Sequence, residues 1–226
     1  MQPIRVLHIV TYMGRGGLET MLMNYYRHID RTKVQFDFLV HRDFEADYDA
    51  EILSFGGKIH HVSRLVPWSK SYQNELRTFF KAHPEYRIVH VHQDCLSSVA
   101  LKVAKECGVP VRIAHSHSSS ADKNLKYWIK RYYMKKISKY ATDLFACGKK
   151  AGDWMFGGKK YQIVRNAIDA KRYTYSMATA EKVRTSLNLH DELVVGHVGR
   201  FNPPKNHTFL IDIFYEIQKI NPSARL

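Results

Sequence analysis

Ile4-Arg5-Val6-Leu7-His8-Ile9-Val10-Thr11 runs into Tyr12-Met13-Gly14-Arg15-Gly16-Gly17 and then Leu18-Glu19-Thr20-Met21-Leu22, and this stretch decides the fold class. The first eight residues are almost continuously apolar, the pattern of a parallel strand covered on both faces. Beyond the glycines, Leu18, Met21, Leu22, Tyr25, Tyr26 and Ile29 recur at the spacing of an amphipathic helix. Glycines at such a junction admit close backbone approach, and the helix N-terminus behind them offers N–H groups to an anion. The alternation continues outward. Strands are predicted over 34–40, 58–62, 87–91, 111–114, 144–147 and 161–164, and helices over 47–55, 71–82, 96–107 and 125–140. Such alternation means a doubly wound, Rossmann-like parallel sheet with right-handed crossovers, whose ligands bind beyond the carboxyl ends of the strands.

Residues 1–170 form the first domain in this reading, and 171–191 a linker with one short helix. Residues 192–226 read as the start of a second Rossmann-like domain. There Val194-Val195-Gly196-His197-Val198-Gly199-Arg200-Phe201 is predicted as a strand entering a phosphate-handling loop, followed by a helix from Asn206 to Ile220. The expectation is a second domain represented by its first βα unit, in a chain inactive by itself.

The 226 residues carry 35 Lys+Arg against 21 Asp+Glu, a net charge of +14 that attracts phosphates or anionic lipid heads. No apolar run approaches the roughly 18 residues of a membrane span. The N-terminus has no signal-peptide pattern. Cys95, Cys107 and Cys147 are read as buried, reduced thiols, which fits a cytoplasmic protein. No helix-turn-helix, zinc-finger or RNA-binding signature accompanies the basic charge, so nucleic acid is not expected as a partner.

Five groups of residues carry candidate chemistry or a local turn. The Gly14–Gly17 loop holds Glu19 where a dinucleotide fingerprint needs its last glycine, and the Walker lysine pattern is missing. His90-Val91-His92 and His115-Ser116-His117 each end a predicted strand, where period two puts both histidines of a pair on one face. A zinc site, structural pairing with backbone carbonyls, and contact with a sugar or phosphate all remain open there. The last is preferred for His117, beside Ser116, Ser118, Ser119 and Ser120. Lys123–Lys139 contains seven basic residues and no acidic one. Its predicted apolar stripe, Leu125, Trp128, Ile129 and Tyr132, leaves Lys123, Lys126, Lys130 and Arg131 outward as membrane-facing candidates. Arg200 and Lys205 combine a guanidinium fork with a point charge, a pair suited to a diphosphate. Asn166 and Asp169 suit a local turn at the end of the first domain.

Taken together, Gly16-Gly17-Leu18-Glu19-Thr20, His90-Val91-His92, His115-Ser116-His117-Ser118, Asn166-Ala167-Ile168-Asp169 and Gly199-Arg200 with Lys205 resemble the GT-B-fold retaining glycosyltransferases of family 4, particularly bacterial capsular and exopolysaccharide enzymes. The resemblance implies two Rossmann-like domains and transfer of a sugar from a nucleotide-sugar donor, usually a UDP-sugar, to a lipid-linked or polysaccharide acceptor. It implies no metal and no other cofactor. By analogy Gly16 and Gly17 approach the donor phosphate and the acceptor, His117 lies by the reacting sugar, and His92, His115 and Ser118 line the acceptor side or the cleft. Arg200 and Lys205 grip the diphosphate, and Asn166 and Asp169 stand near a hinge. The chain departs from the family in having Ala167 where Asn-Gly is usual, and in lacking the paired glutamates eight positions apart. The basic helix suggests work at the inner face of the cytoplasmic membrane. Two alternatives are a non-catalytic membrane- or polyanion-binding module and a sugar-nucleotide epimerase of the same fold.

Overall fold

The computed structural model describes residues 2–120 and 125–226. The chain divides into two compact units, Met1–Asp169 and Ala170–Leu226. The first is built on seven strands: β1 (Ile4–Ile9), β2 (Val34–Val40), β3 (Ile59–His61), β4 (Ile88–Val91), β5 (Val111–Ser116), β6 (Asp143–Ala146) and β7 (Gln162–Ile163). All pairs are parallel and the order is β3-β2-β1-β4-β5-β6-β7. The winding direction reverses between β1 and β4, so the crevice in which such sheets bind ligands opens at the ends of these two strands.

One face of the sheet is covered by α1 (Gly17–His28) and α2 (Asp49–Ser54), where Met21, Leu22, Tyr26 and Ile52 pack on Val10, Phe38 and Val40. The other face carries α3 (Lys70–Ala82) and α4 (Ser97–Glu106), with Tyr72, Leu76, Phe80, Val99 and Val103 against Leu7, Ile9, Val89, Val91 and Ala114. Most of these side chains are wholly buried, and each such burial is worth roughly 1.5–3 kcal/mol. Asp37 on β2 is a wholly buried carboxylate at the edge of this core, and it is paired. It accepts from Arg5 Nη1 at 2.6 Å and 2.5 Å and from the Lys58 backbone N–H at 2.7 Å.

The predicted helix over 125–140 is two helices, α5 (Leu125–Met134) and α6 (Ile137–Tyr140). The chain tightens between them, with Lys136 N–H bonding the Tyr133 carbonyl at 3.0 Å and Lys139 N–H bonding Lys136 at 3.1 Å. A further helix, α7 (Lys149–Phe156), lies where no helix is predicted. Gly152 inside it weakens the helical pattern, and the glycine is required there. A Cβ would stand 2.3 Å from the Tyr161 ring packed against it.

In the second unit, α8 (Met177–Ser186) and α9 (His207–Ile220) are formed. The strand predicted from Val194 is reduced to an isolated parallel bridge between Val194 and Arg225. Val195 N–H donates to Arg225 and Arg225 N–H to Leu193, each at 2.9 Å, and one short partner supports no longer ladder. Asn206 caps α9 from the left-handed region at φ 46°, its side chain accepting from Phe209 N–H at 3.4 Å. A cleft of 660 Å³ within this unit is lined by Leu189, Val195, Gly196, His197, Phe201 and His207, among others. Among the described residues, no helix is long and apolar enough to cross a membrane. The three cysteines are free thiols; burial pushes that of Cys95 up to about 11.

Candidate active site

The parallel register assembles a block of five histidines on the α1-side face of the sheet. His8 of β1 stands opposite His90 of β4, and His90 stands opposite Ile113, two residues before His115 on β5. Period two then adds His92 and His117 at the carboxyl ends of the same two strands. His8 Nδ1 lies 3.1 Å from His92 Nε2, and His92 Nδ1 lies 2.9 Å from His117 Nε2. A second pair joins His90 Nε2 to His115 Nδ1 at 3.1 Å. The rings of His90 and His115 stack at 5.1 Å and those of His115 and His117 at 4.1 Å. Each histidine therefore bonds another of the block, not a backbone carbonyl as the structural reading from sequence has it, and the buried Nε2 atoms of His8 and His115 have no partner among the described residues. Side-chain periodicity reaches only residues on one strand; the cross-strand register decides the partners.

Burial disfavours a charged imidazole, so every member is neutral near pH 7. His8 and His115 are pushed down to about 3 and His117 to about 4. His90 and His92 fall well below the ordinary histidine value, through burial first and the neighbouring imidazoles second. Two trios, His8–His90–His92 and His92–His115–His117, each place one ring nitrogen per residue within 4.8 Å of the others, inside chelating reach. Among the described residues, no carboxylate or thiolate joins either trio.

Asp94 stands at the open end of this block. It adopts φ +45°, a left-handed conformation uncommon outside glycine but one that Asp and Asn enter more readily than other residues, and opens the 3-10 turn Asp94–Leu96. Its carboxylate accepts from His117 N–H at 3.4 Å and from Ser118 Oγ–H at 3.1 Å. Burial raises its pKa, against these two donors and the charge of Lys130. Asp94, Gln93, Ser118, Ser120 and Lys130 line a cleft of 310 Å³. Below it, Ser116 Oγ–H donates to the Ala151 carbonyl at 2.8 Å and fixes the strand end to α7. Asp94 and His8 are functional candidates missed in the sequence. The spacing His90-Val91-His92-Gln93-Asp94 marks the first, and the polar break in the apolar run of β1 marks the second.

The glycine loop separates into two roles. A Cβ at Gly16 would meet the Glu19 carboxylate at 2.1 Å, so this glycine makes room for an internal neighbour. A Cβ at Gly17 would meet nothing within 4 Å, so Gly17 is the open position. Gly16, the N-cap residue of α1, supplies no side-chain cap. The same helix fastens the end of the unit: Asn24 Nδ2–H donates to the Ala167 carbonyl and Tyr25 Oη–H to the Arg165 carbonyl, both at 2.7 Å. Asn166 and Asp169 lie in and just after this strap, and the unit boundary follows Asp169.

The basic helix is turned relative to the predicted phase. Trp128, Ile129 and Tyr132 are exposed, whereas Met134 is buried and Tyr127, Lys130 and Arg131 are partly buried. Residues 127, 130, 131 and 134 form the inward stripe, and Lys130 faces Asp94 in place of solvent. Flexible basic stems pack along apolar surface, so they compete with the aromatic stripe for the inside. Lys123 and the side chain of Lys126 lie outside the described residues. In the second unit Arg200 and Lys205 are exposed. The Lys205 stem lies across Gly199, 3.3 Å from where a Cβ would stand.

Residues 15–172 match the family described as Glycosyltransferase Family 4. The chain belongs to Glycosyltransferase Family 4. The family 4 chain is 36% identical over 220 residues to the Bacillus subtilis (strain 168) protein named Putative glycosyltransferase EpsF, covering 92% of this chain and 57% of that relative. Among solved structures it is similar to Anabaena Alr3699/HepE in complex with UDP, with a TM-score of 0.75 at 16% identity, over 94% of this chain and 57% of that one. It is similar also to the Listeria monocytogenes protein named putative UDP-N-acetylglucosamine 2-epimerase, with a TM-score of 0.55 at 17% identity, over 100% of this chain and 62% of that one. These likenesses identify the GT-B, Rossmann-like fold. The family 4 chain thus spans under two thirds of the length of these relatives.

Proposed function

We propose that the protein to which this chain belongs transfers a sugar, with retention, from a nucleoside-diphosphate sugar to a lipid-linked or polysaccharide acceptor. The observation that carries the reading is the cluster of His117, Ser118 and Asp94 at the carboxyl ends of β4 and β5, next to the reversal of the sheet, in a family 4 chain. A neutral imidazole, a hydroxyl and a buried carboxylate offer a hydroxylated ligand both donors and acceptors. Gly17 leaves the backbone open to a phosphate at the α1 N-terminus. Arg200 and Lys205 supply fixed positive charge for the diphosphate as it leaves, when negative charge develops on its bridging oxygen. Such stabilisation needs no metal, and we assign none to the reaction. UDP is the proposed nucleotide, supported by the HepE complexes with UDP and with UDP-glucose.

Work at an anionic membrane face is supported by the exposed Trp128 and Tyr132 of α5 with the exposed Lys135 just beyond its end, and by Trp68. Aromatic rings with a polar or apolar edge and adjacent lysines suit the headgroup layer. The test is titration of UDP and UDP-glucose into the chain by calorimetry, with Arg200→Ala and Lys205→Ala as comparators. Binding that weakens several-fold in either variant supports the reading. Equal binding by the variants and the parent, or no binding by a polypeptide extended to the relatives' length, overturns it.

A further inference from the structure

A neutral imidazole carries one N–H and one lone pair, so in a bond between two neutral rings one nitrogen gives and the other accepts. His92 uses both nitrogens, towards His8 at 3.1 Å and towards His117 at 2.9 Å. It must donate through one and accept through the other. The chain His8–His92–His117 therefore has two polarities only: every proton on Nδ1, or every proton on Nε2.

The buried end separates them. His8 is 2% exposed, and its Nε2 has no hydrogen-bond partner among the described residues. Protons on Nε2 would leave a buried N–H with no acceptor. Protons on Nδ1 leave a lone pair there, the less costly orphan because unfilled acceptors are tolerated more often than unfilled donors. The second pair reaches the same answer independently. His115 Nε2 is likewise buried without a partner, whereas His90 is only partly buried and its Nδ1 is not one of the fully buried unpartnered atoms, so the unpaired N–H costs less on His90: His115 Nδ1–H donates to His90 Nε2, and the His90 proton sits on Nδ1.

We propose that His8, His90, His92, His115 and His117 all carry their proton on Nδ1, opposite to the preference of free neutral imidazole for Nε2, and that the block thereby presents His117 to a ligand as a hydrogen-bond donor. His117 Nε2 is filled by His92, and its Nδ1–H is free of partners among the described residues. The ligand atom it fits is an acceptor oxygen, from a sugar hydroxyl or a phosphate, and His117 has no lone pair with which to take a proton. His92 and His8 are positioning residues that act through it. That the oxygen belongs to a donor sugar rests on the proposed transfer; the tautomers themselves do not.

The experiment is long-range 1H–15N correlation of the histidine rings in the uniformly labelled chain near neutral pH. His41 is an internal standard, because its Nδ1–H donates to the Val10 carbonyl at 2.7 Å while its Nε2 accepts from Tyr72 Oη–H at 2.8 Å. The expected spectrum has pyrrole-like Nδ1 and pyridine-like Nε2 shifts at all five histidines. A protonated Nε2 at His8 or His117 overturns the proposal, and so do shifts that move on adding a chelator, since these would reveal a bound metal in place of the hydrogen bonds. His92→Asn keeps an amide N–H near the position of Nδ1 and is expected to preserve the His117 pattern. His92→Leu is expected to lose it, and an unchanged His117 in a folded His92→Leu chain also counts against the proposal. Loss of UDP binding alone would sink the transferase reading and leave these spectra as they are.

Discussion

Acidification to about pH 5 is expected to unfold the first unit, and the histidine block sets the size of the effect. His8 and His115 titrate at about 3 and His117 at about 4 in the folded chain, against 6.5 for an ordinary histidine. Below pH 6.5 the unfolded chain binds protons that the folded chain refuses, so unfolding is favoured as the pH falls. The stability is complete above 6.5 and is lost on the way down to 4 and 3. Each of the three groups costs about 1.4 kcal/mol per pH unit in that window, or about 2 kcal/mol at pH 5. Together they remove about 6 kcal/mol, comparable with the whole stability of many domains at about 5–15 kcal/mol. His90 and His92, also depressed, steepen the loss. Urea unfolding followed by tryptophan fluorescence at a series of pH values reads the slope directly. Replacing the bonded pair together, His90→Ile with His115→Val, is expected to flatten it. An unfolding free energy that is the same at about pH 7 and pH 5 would refute the reasoning, because five neutral buried imidazoles cannot be indifferent to protons.

Removing the Asp37 carboxylate with Asp37→Ala leaves Arg5 and the Lys58 amide without their acceptor, and is expected to cost about 3–5 kcal/mol in denaturant unfolding. Gly17→Ala is expected to leave the thermal midpoint nearly unchanged while weakening UDP binding, since the new methyl enters open space at the helix start. Gly16→Ala is expected to lower the midpoint because Glu19 occupies that space. Asp94→Ala frees His117 N–H and Ser118 Oγ, and is expected to reduce transfer by the extended polypeptide at least tenfold while circular dichroism stays the same. Ser116→Ala deletes the buried bond to Ala151, with an expected loss of about 1 kcal/mol in the same unfolding assay.

The strands and the first helices are legible because burial on both faces writes long apolar runs, such as Ile4–Ile9 and Val34–Val40, between glycine breaks. Legibility ends where tertiary contacts outvote local pattern. Gly152 looks like a helix breaker until the Tyr161 ring beside it is known. The phase of α5 is ambiguous because 125–128–129–132 and 127–130–131–134 both satisfy helical spacing, and only the neighbouring cleft selects the second. At the site, His117 and its serines announce themselves at a strand end. The role of His8 does not, because its partner is 84 residues away and is found only through the β1–β4 register. Asp94 is hidden by its backbone, whose left-handed turn aims the carboxylate back at residues 117 and 118.

The pairing of His90 with His115 has a further consequence for how the sequence can change. Either residue replaced singly leaves its partner's nitrogen stranded in an apolar layer, whereas two aliphatic side chains introduced together fill the same space without an orphan. The neutral path to aliphatic side chains therefore runs through double steps, and an aliphatic residue in place of His92, bonded on both sides, is accommodated without an orphan only when His8 and His117 change with it. In lineages that diverge from this chain, aliphatic residues at these positions are expected to appear as linked sets, and a variant library sampled one position at a time would find none of those aliphatic solutions.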